Sequence, residues 1–253
     1  MRIAPPILMA WLAVLSLPVA NAQTLSSQSV DSLNVAHATA DRNTWNLAQD
    51  VGGTGNQLAF DQGAAGVWYF MTSRCWACSP ADGKPSAPPH DPHFYRLIRE
   101  YHAPDVAWGE SWNDLPQERS CWQEETAREP NVCYNDFKEP REFAMDIPPL
   151  SVQVHPGPDT PVIVAWKSPV RGVVSVSGVF ADSNPCGADG VSWYIDRRSQ
   201  TLASGTVAEG GRQTFRLRSV SVDKNTVLYF GVLANGSYFC DTTLLDVTIS
   251  RHR

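Results

Sequence analysis

The sequence predicts an all-β protein: an antiparallel β-sandwich (jelly roll) with a long, disulfide-stapled, partly helical insertion. Three observations predict it. Residues 160–250 contain seven short runs with strand patterning. Turn residues separate those runs at short intervals, and no long helical pattern lies between them.

The runs justify themselves in order. Pro161–Lys167, Gly190–Asp196 and Thr226–Ala234 are apolar on both faces, which suits central strands. In Gly172–Phe180, Val174, Val176 and Phe180 alternate with Ser175 and Ser177. Gln200–Thr206 is the weakest run and reads as an edge. Gly211–Arg218 alternates Phe215 and Leu217 with Thr214, Arg216 and Arg218, and Thr243–Ser250 alternates Leu245, Val247 and Ile249 with polar residues. Ser168-Pro169, Asn184-Pro185, Glu209-Gly210-Gly211, Asp223-Lys224-Asn225 and Asn235-Gly236 supply the turns.

The stretches VHPGPDTPVIVAWKSPVRGVVSVSGVF, CGADGVSWYID and YFCDTTLLDVTIS resemble exported bacterial jelly-roll domains of the carbohydrate-binding-module-like type, seen in PEP-CTERM-associated surface proteins. The resemblance covers about 150–250 and, less closely, 45–69, where NQLAFDQGAAGVWYF resembles the opening strands. It implies fold and export, and carries no activity. Residues 74–142 lie outside it.

At the beginning of the chain, Met1–Ala22 has the pattern of a signal peptide: Arg2, the apolar run Ile7–Val19, and a small-x-small site at Ala20-Asn21-Ala22. That run is short for a bilayer, which needs ~20 residues. No other stretch is long enough to span, so no membrane span is expected after cleavage, and the protein is expected to be secreted. Cleavage removes one base and no acid, which moves the formal charge from −6 to −7. A net acidic chain excludes nucleic acid and anionic lipid as main partners, since both reward clustered Lys and Arg. Residues 23–42 read as a flexible leader and 43–253 as one sandwich domain with the insertion at 74–142.

Trp45, Leu47, Val51, Leu58 and Phe60 are core candidates for further strands, and Gly66–Met71 is an apolar aromatic strand. Gly52-Gly53-Thr54-Gly55 reads as a turn, because no Lys-Ser or Lys-Thr follows to make it a phosphate loop. Within the insertion, Asp91 as N-cap and Pro92 at the first position predict a helix over Asp91–Tyr101, with Phe94, Leu97, Ile98 and Tyr101 on one stripe.

Six cysteines in an exported chain favour disulfides. If the strands alternate up and down, the residues after Gly172–Phe180 and those before Thr243–Ser250 lie at one end, which pairs Cys186 with Cys240. Cys121–Cys133 and Cys75–Cys78 complete the set. Cys75-Trp-Ala-Cys78 lacks the βαβ surroundings of a redox motif. His90, His93 and His102 match no zinc spacing.

Trp108 and Trp112 stand among Asp105, Glu110, Asn113 and Asp114. Aromatic rings stack on the apolar faces of sugars while neighbouring polar groups bond the hydroxyls. Trp108, Trp112, Asn113 and Asp105 are therefore the expected ligand-binding set, with the face of Ser192, Tyr194 and Arg216 as the next candidate. Trp76 and Trp122 read instead as a small core within the insertion. Glu100, Asp105, Glu110 and Asp114 are the candidates for a catalytic carboxylate pair. Asp182, Asp189 and Asp241 flank the expected Cys186–Cys240 bridge and are the expected ligands of a structural calcium ion.

The expected function is glycan binding at a bacterial cell surface or in the extracellular space. A glycoside hydrolase or polysaccharide lyase, with its site between sandwich and insertion, is the alternative. A non-catalytic envelope or adhesion protein is the third.

Overall fold

The structure is a computed structural model that describes residues 42–53, 68–73, 91–98, 100–102, 119–124, 129–135, 148–187 and 189–252. The expected signal peptide, Leu58, Phe60, the Cys75–Cys78 pair, Asp105, Trp108, Glu110 and Trp112–Asp114 lie outside these residues. Among the described residues, no helix is long and apolar enough to cross a membrane.

All seven C-terminal runs are strands: β8 (Val162–Lys167), β9 (Gly172–Asp182), β10 (Val191–Arg197), β11 (Gln200–Val207), β12 (Arg212–Val222), β13 (Val227–Ala234) and β14 (Thr243–Arg251). Earlier in the chain come β1 (Thr44–Asn46), α1 (Leu47–Gly53), β2 (Trp68–Ser73), β3 (Tyr95–Leu97), β4 (Glu100–His102), β5 (Arg119–Gln123), β6 (Asn131–Asn135) and β7 (Ser151–His155). They form two antiparallel sheets. One runs β12-β9-β14-β7-β6-β5-β4, with β1 also on β14, and the other runs β11-β10-β13-β8-β2-β3. As patterning implied, β8, β10 and β13 are interior strands and β11 is an edge. The other sheet ends on β12, whose exposed Arg212, Arg216 and Arg218 discourage pairing with a further strand.

The insertion departs from expectation. It does not lie on a finished sandwich but supplies strands to both layers. The helix predicted over Asp91–Tyr101 is instead one 3-10 turn, Pro92–Phe94, followed by β3 and β4. The cap itself is real, since the Asp91 carboxylate accepts the His93 N–H at 3.0 Å. Pairing of Tyr95, Arg96 and Leu97 with Ser73, Thr72 and Met71 then takes the chain out of the helix. Tertiary pairing outweighs local propensity, which is worth only tenths of a kcal/mol per residue. Cys121 and Cys133 stand opposite each other on β5 and β6 and are bonded. Trp122 is not part of a separate small core. It lies between the sheets with its ring 4.6 Å from Phe70.

The core is rich in aromatics. Trp45 meets Trp166 at 5.4 Å, and Phe180 of β9 stacks on Trp193 of β10 at 4.7 Å and 16°. This stack joins the two sheets, and Phe215 closes it from the side at 5.4 Å and 6.0 Å. Gly178 makes room for Phe215, its register partner on β12. A Cβ at Gly178 would meet the Phe215 ring and the Asp246 carbonyl. Gly178→Ala is therefore expected to lower stability by about 1–3 kcal/mol, the usual cost of overpacking. Urea unfolding followed by Trp fluorescence measures it, and unchanged stability would contradict this packing.

Candidate functional site

Register places four chain segments at one end of the sandwich. Thr243 pairs with Asp182 and Val154, Ala181 pairs with Arg212, and Val191 pairs with both Val207 and Ala234. The β9–β10 loop, the β11–β12 turn, the β13–β14 loop and the end of β7 therefore meet. The expected Cys186–Cys240 disulfide is present there, with Cα atoms 6.0 Å apart. Among the described residues no cysteine is free.

Hydrogen bonds fix the loops around this bridge. Asp182 accepts the Asn184 N–H at 2.9 Å and the Gly210 N–H at 2.7 Å, so one carboxylate organises its own loop and the neighbouring turn. Glu209, on that turn, accepts the Gly187 N–H. Asp189 receives the Ser237 N–H at 3.3 Å, and its carbonyl accepts Asn235 Nδ2 at 3.2 Å. Below them, Ser183 donates from its N–H and its Oγ to the Thr242 carbonyl, each at 2.9 Å, and takes Gln153 Nε2 at 2.8 Å.

Asp241 differs from the other two. Cys240 adopts φ 66°, a left-handed conformation costly to a residue with a Cβ, and the chain turns inward at Asp241. Its side chain is 2% exposed and neither carboxylate oxygen has a hydrogen-bond partner. A buried anion without partners carries a large desolvation cost. Burial lifts the Asp241 carboxyl to about 7, and the negative charges of Asp189 and Asp182 push the same way.

The structure thus gathers Asp182, Asp189 and Asp241 at one end. Asp182 and Asp189 hold backbone amides, and among the described residues no three acidic, His or Cys side chains converge as a ready-made metal cage. Asp182 and Asp241 line one narrow cleft together with Gly190, Val191, Val207, Cys240 and Thr243.

Tyr238 and Phe239 were missed by the sequence reading. They occupy the β13–β14 loop and are 38% and 70% exposed. The Tyr238 ring stands edge-on to His155, centroids 6.2 Å apart. The signal was available: two adjacent aromatics in a turn-rich segment, Asn-Gly-Ser-Tyr-Phe-Cys, fall outside any strand alternation.

Other expected residues are placed differently. The Trp108, Trp112, Asn113 and Asp105 set lies outside the described residues, as do the catalytic candidates Asp105, Glu110 and Asp114. Glu100 is on β4. Ser192, Tyr194 and Arg216 do not share a face, because β10 and β12 belong to different sheets. Tyr194 is also buried, with its hydroxyl 3.0 Å from that of Tyr95.

The raised Asp241 carboxyl sets a pH dependence. Between the ordinary carboxylate range near 4 and about 7, the folded chain holds a proton that the unfolded chain has lost. This contribution is full below about pH 4, falls as pH rises towards 7, and is lost above it. Asp241→Asn is expected to remove it. The variant should match the parent near pH 4 and exceed it by on the order of 2–4 kcal/mol at pH 8. Denaturant unfolding of both proteins across this range measures the difference, and a constant difference would refute the assignment.

No family profile and no curated protein matches the sequence. Solved structures similar in fold include three carbohydrate-binding modules. One is CBM51 from Clostridium perfringens GH95 in complex with methyl-galactose: TM-score 0.33, 9% identity, covering 61% of this chain and 95% of that one. Another is the CBM22-1 xylan-binding domain of Paenibacillus barcinonensis Xyn10C: TM-score 0.31, 12% identity, covering 60% and 92%. The third is the CBM36-1 domain of a multidomain xylanase from the hindgut metagenome of Trinervitermes trinervoides: TM-score 0.31, 9% identity, covering 47% and 91%. At these scores they establish neither a family nor a ligand.

Proposed function

We propose that this is a secreted bacterial glycan-binding protein that engages its ligand at the stapled end of the sandwich. The observation carrying this reading is the exposure of Tyr238 and Phe239 on a loop held by Cys186–Cys240 and by the hydrogen bonds of Asp189. Leaving a large apolar side chain in water forgoes roughly 1.5–3 kcal/mol of burial. On a pinned loop, such rings offer a sugar an apolar surface at little entropic cost. Ser192, whose Oγ donates to Asn235 Oδ1 at 2.6 Å, and Asp189 and Asn184 place hydrogen-bonding groups around the same loops. Rings flanked by polar groups match the two-sided chemistry of a pyranose. Two disulfides suit the oxidising compartment that export implies.

Affinity electrophoresis through gels containing soluble polysaccharides tests this, with xylan and galactose-containing polysaccharides among them; xylan and methyl-galactose are the sugars named for two of the similar modules. The protein should be retarded by at least one. Phe239→Ala should weaken that retardation by about 10-fold or more, as expected from stacking worth roughly 1–3 kcal/mol per ring by analogy with bases. Its melting temperature should be unchanged, because the ring is exposed. Full retardation of Phe239→Ala, with loss in Trp108→Ala/Trp112→Ala, would move the site to the insertion. Absence of retardation in every gel would refute glycan binding at this end.

A further inference from the structure

We propose that the end of the sandwich opposite the Cys186–Cys240 bridge is a binding surface for an anionic polysaccharide, one that carries carboxylate or phosphate groups. The observation behind it is how the fold sorts charge. The chain as a whole carries −6. Yet Lys167 closes β8, Arg171 precedes β9, Arg197 closes β10 with Arg198 in the turn after it, Lys224 sits in the β12–β13 turn, and Arg251 closes β14. Register brings them to one end: Lys167 pairs with Val227, Arg197 with Leu228, Gly172 with Val222 and Arg251 with Val174. The β8–β9 loop and the β12–β13 turn are tied directly. Ser168 N–H donates to the Thr226 carbonyl at 2.8 Å, and Asn225 N–H to the Ser168 carbonyl at 2.9 Å. In the sequence these bases lie far apart, so no basic run announces them.

Segments 167–172, 197–200, 223–226 and 250–252 hold six bases and one acid, Asp223. Segments 182–190, 207–211 and 235–243, at the stapled end, hold four acids and no base. Asp196, just before Arg197, is fully buried. The 11 residues of β9 run from one end to the other, a separation of roughly 30 Å. That is several Debye lengths at physiological salt, so the acidic end does not cancel the basic one. Arg171, Arg198, Lys224 and Arg251 are exposed. Two arginines are held in place: Arg197 donates to the Ser221 carbonyl at 3.1 Å and to Gln200 Oε1 at 2.8 Å, and Arg251 to the Arg171 carbonyl at 3.3 Å. A guanidinium has more N–H donors than these bonds use, and a held head loses less entropy when an anion binds. Arg171 and Asp223 pair at 2.8 Å, but their side chains are 84% and 61% exposed. Such a pair is worth little, and an incoming anion can replace the carboxylate.

The chemistry of this end selects the partner. Its segments contain no Trp, Tyr or Phe. Stacking on a neutral sugar or on a nucleic-acid base therefore has no ring to use. Among the described residues, the large apolar side chain exposed beside them is Val173, which offers a bilayer almost no anchor. Charge is what this end reads. Most of its bases are arginines, whose planar fork fits carboxylate and phosphate oxygens in pairs. They stand on separate turns, so a polymer that repeats its charge engages several at once and a single small anion does not.

This surface is separate from the stapled end, and its test needs no neutral sugar. Binding of the full chain to immobilised polygalacturonate is measured in about 50 mM salt, with neutral dextran as the reference. Binding to polygalacturonate and none to dextran is expected, although protein and polymer carry the same net sign. Affinity should fall by about 10-fold or more as salt rises to about 200 mM, as counterion release requires. Arg198→Asn with Lys224→Ser removes two exposed charges; Asn suits the φ of 57° at Arg198. This double variant should bind about 10-fold more weakly, and its log–log salt slope should drop by about 2. Its melting temperature should not change. Phe239→Ala should bind polygalacturonate like the parent. No binding to polygalacturonate at about 50 mM salt would overturn the proposal, as would a double variant with the parent affinity and slope. Loss of binding in Phe239→Ala would also overturn it, by placing the anion at the stapled end. So would preference for vesicles of equimolar phosphatidylcholine and phosphatidylglycerol over polygalacturonate, which would make the partner a lipid surface.

Discussion

The bridge between Cys186 and Cys240 ties the loop leaving β9 to the loop entering β14, two strands that the sheet already holds side by side. Those loops contain the three carboxylates and the two exposed rings, and the shortest chain path between the bridged residues is otherwise 54 residues long. A link of that span lowers the entropy of the unfolded chain by an amount worth roughly 4 kcal/mol in the loop-closure account. At the folded end it also limits how far an acidic, partly apolar set of loops can separate. Without it, repulsion among Asp182, Asp189 and Asp241 would favour opening.

The sandwich beneath these loops is rigid for a different reason. Its layers are joined by large rings rather than by aliphatic filler: Phe180 on Trp193, Trp45 on Trp166, and Phe70 on Trp122. Each pair takes one ring from each sheet, so neither sheet slides without breaking several contacts at once. The loop end is the contrasting region. Its polar groups are satisfied within the loops, its aromatics face water, and its deepest carboxylate is unpaired. Interiors tolerate such a group when it keeps its proton, as the raised Asp241 carboxyl does up to about pH 7.

Much of the C-terminal half was legible because each strand had either one wet face or none. Alternation identified β9, β12 and β14, continuous apolarity identified β8, β10 and β13, and up-and-down order was enough to pair Cys186 with Cys240. The insertion defeated the same reasoning. In β6, Asn131, Val132, Cys133, Tyr134 and Asn135 are all buried, polar and apolar alike, so neither period nor hydrophobicity marks the strand. Asp91 and Pro92 are true start signals for a helical turn, yet local signals do not say how long it lasts. The segment after β1 shows the reverse. Leu47 and Val51 are core residues as expected, but their spacing of four belongs to α1 rather than to a strand. At the candidate site the acidic residues could be assigned to one end from topology alone. Tyr238 and Phe239 could not, because an aromatic in sequence looks the same whether a sheet covers it or water does.

The central claim is that the loop end, not the insertion or a sheet face, is where this protein meets its ligand. Amide chemical-shift mapping of labelled protein tests it most directly, with an oligosaccharide of the best-retained polysaccharide added stepwise. The account predicts that the addition perturbs residues 182–190 and 235–243, with the shifts centred on Tyr238 and Phe239. Shifts confined to residues 105–114, or spread along the outer face of β9 and β12 while 235–243 stays still, would contradict it.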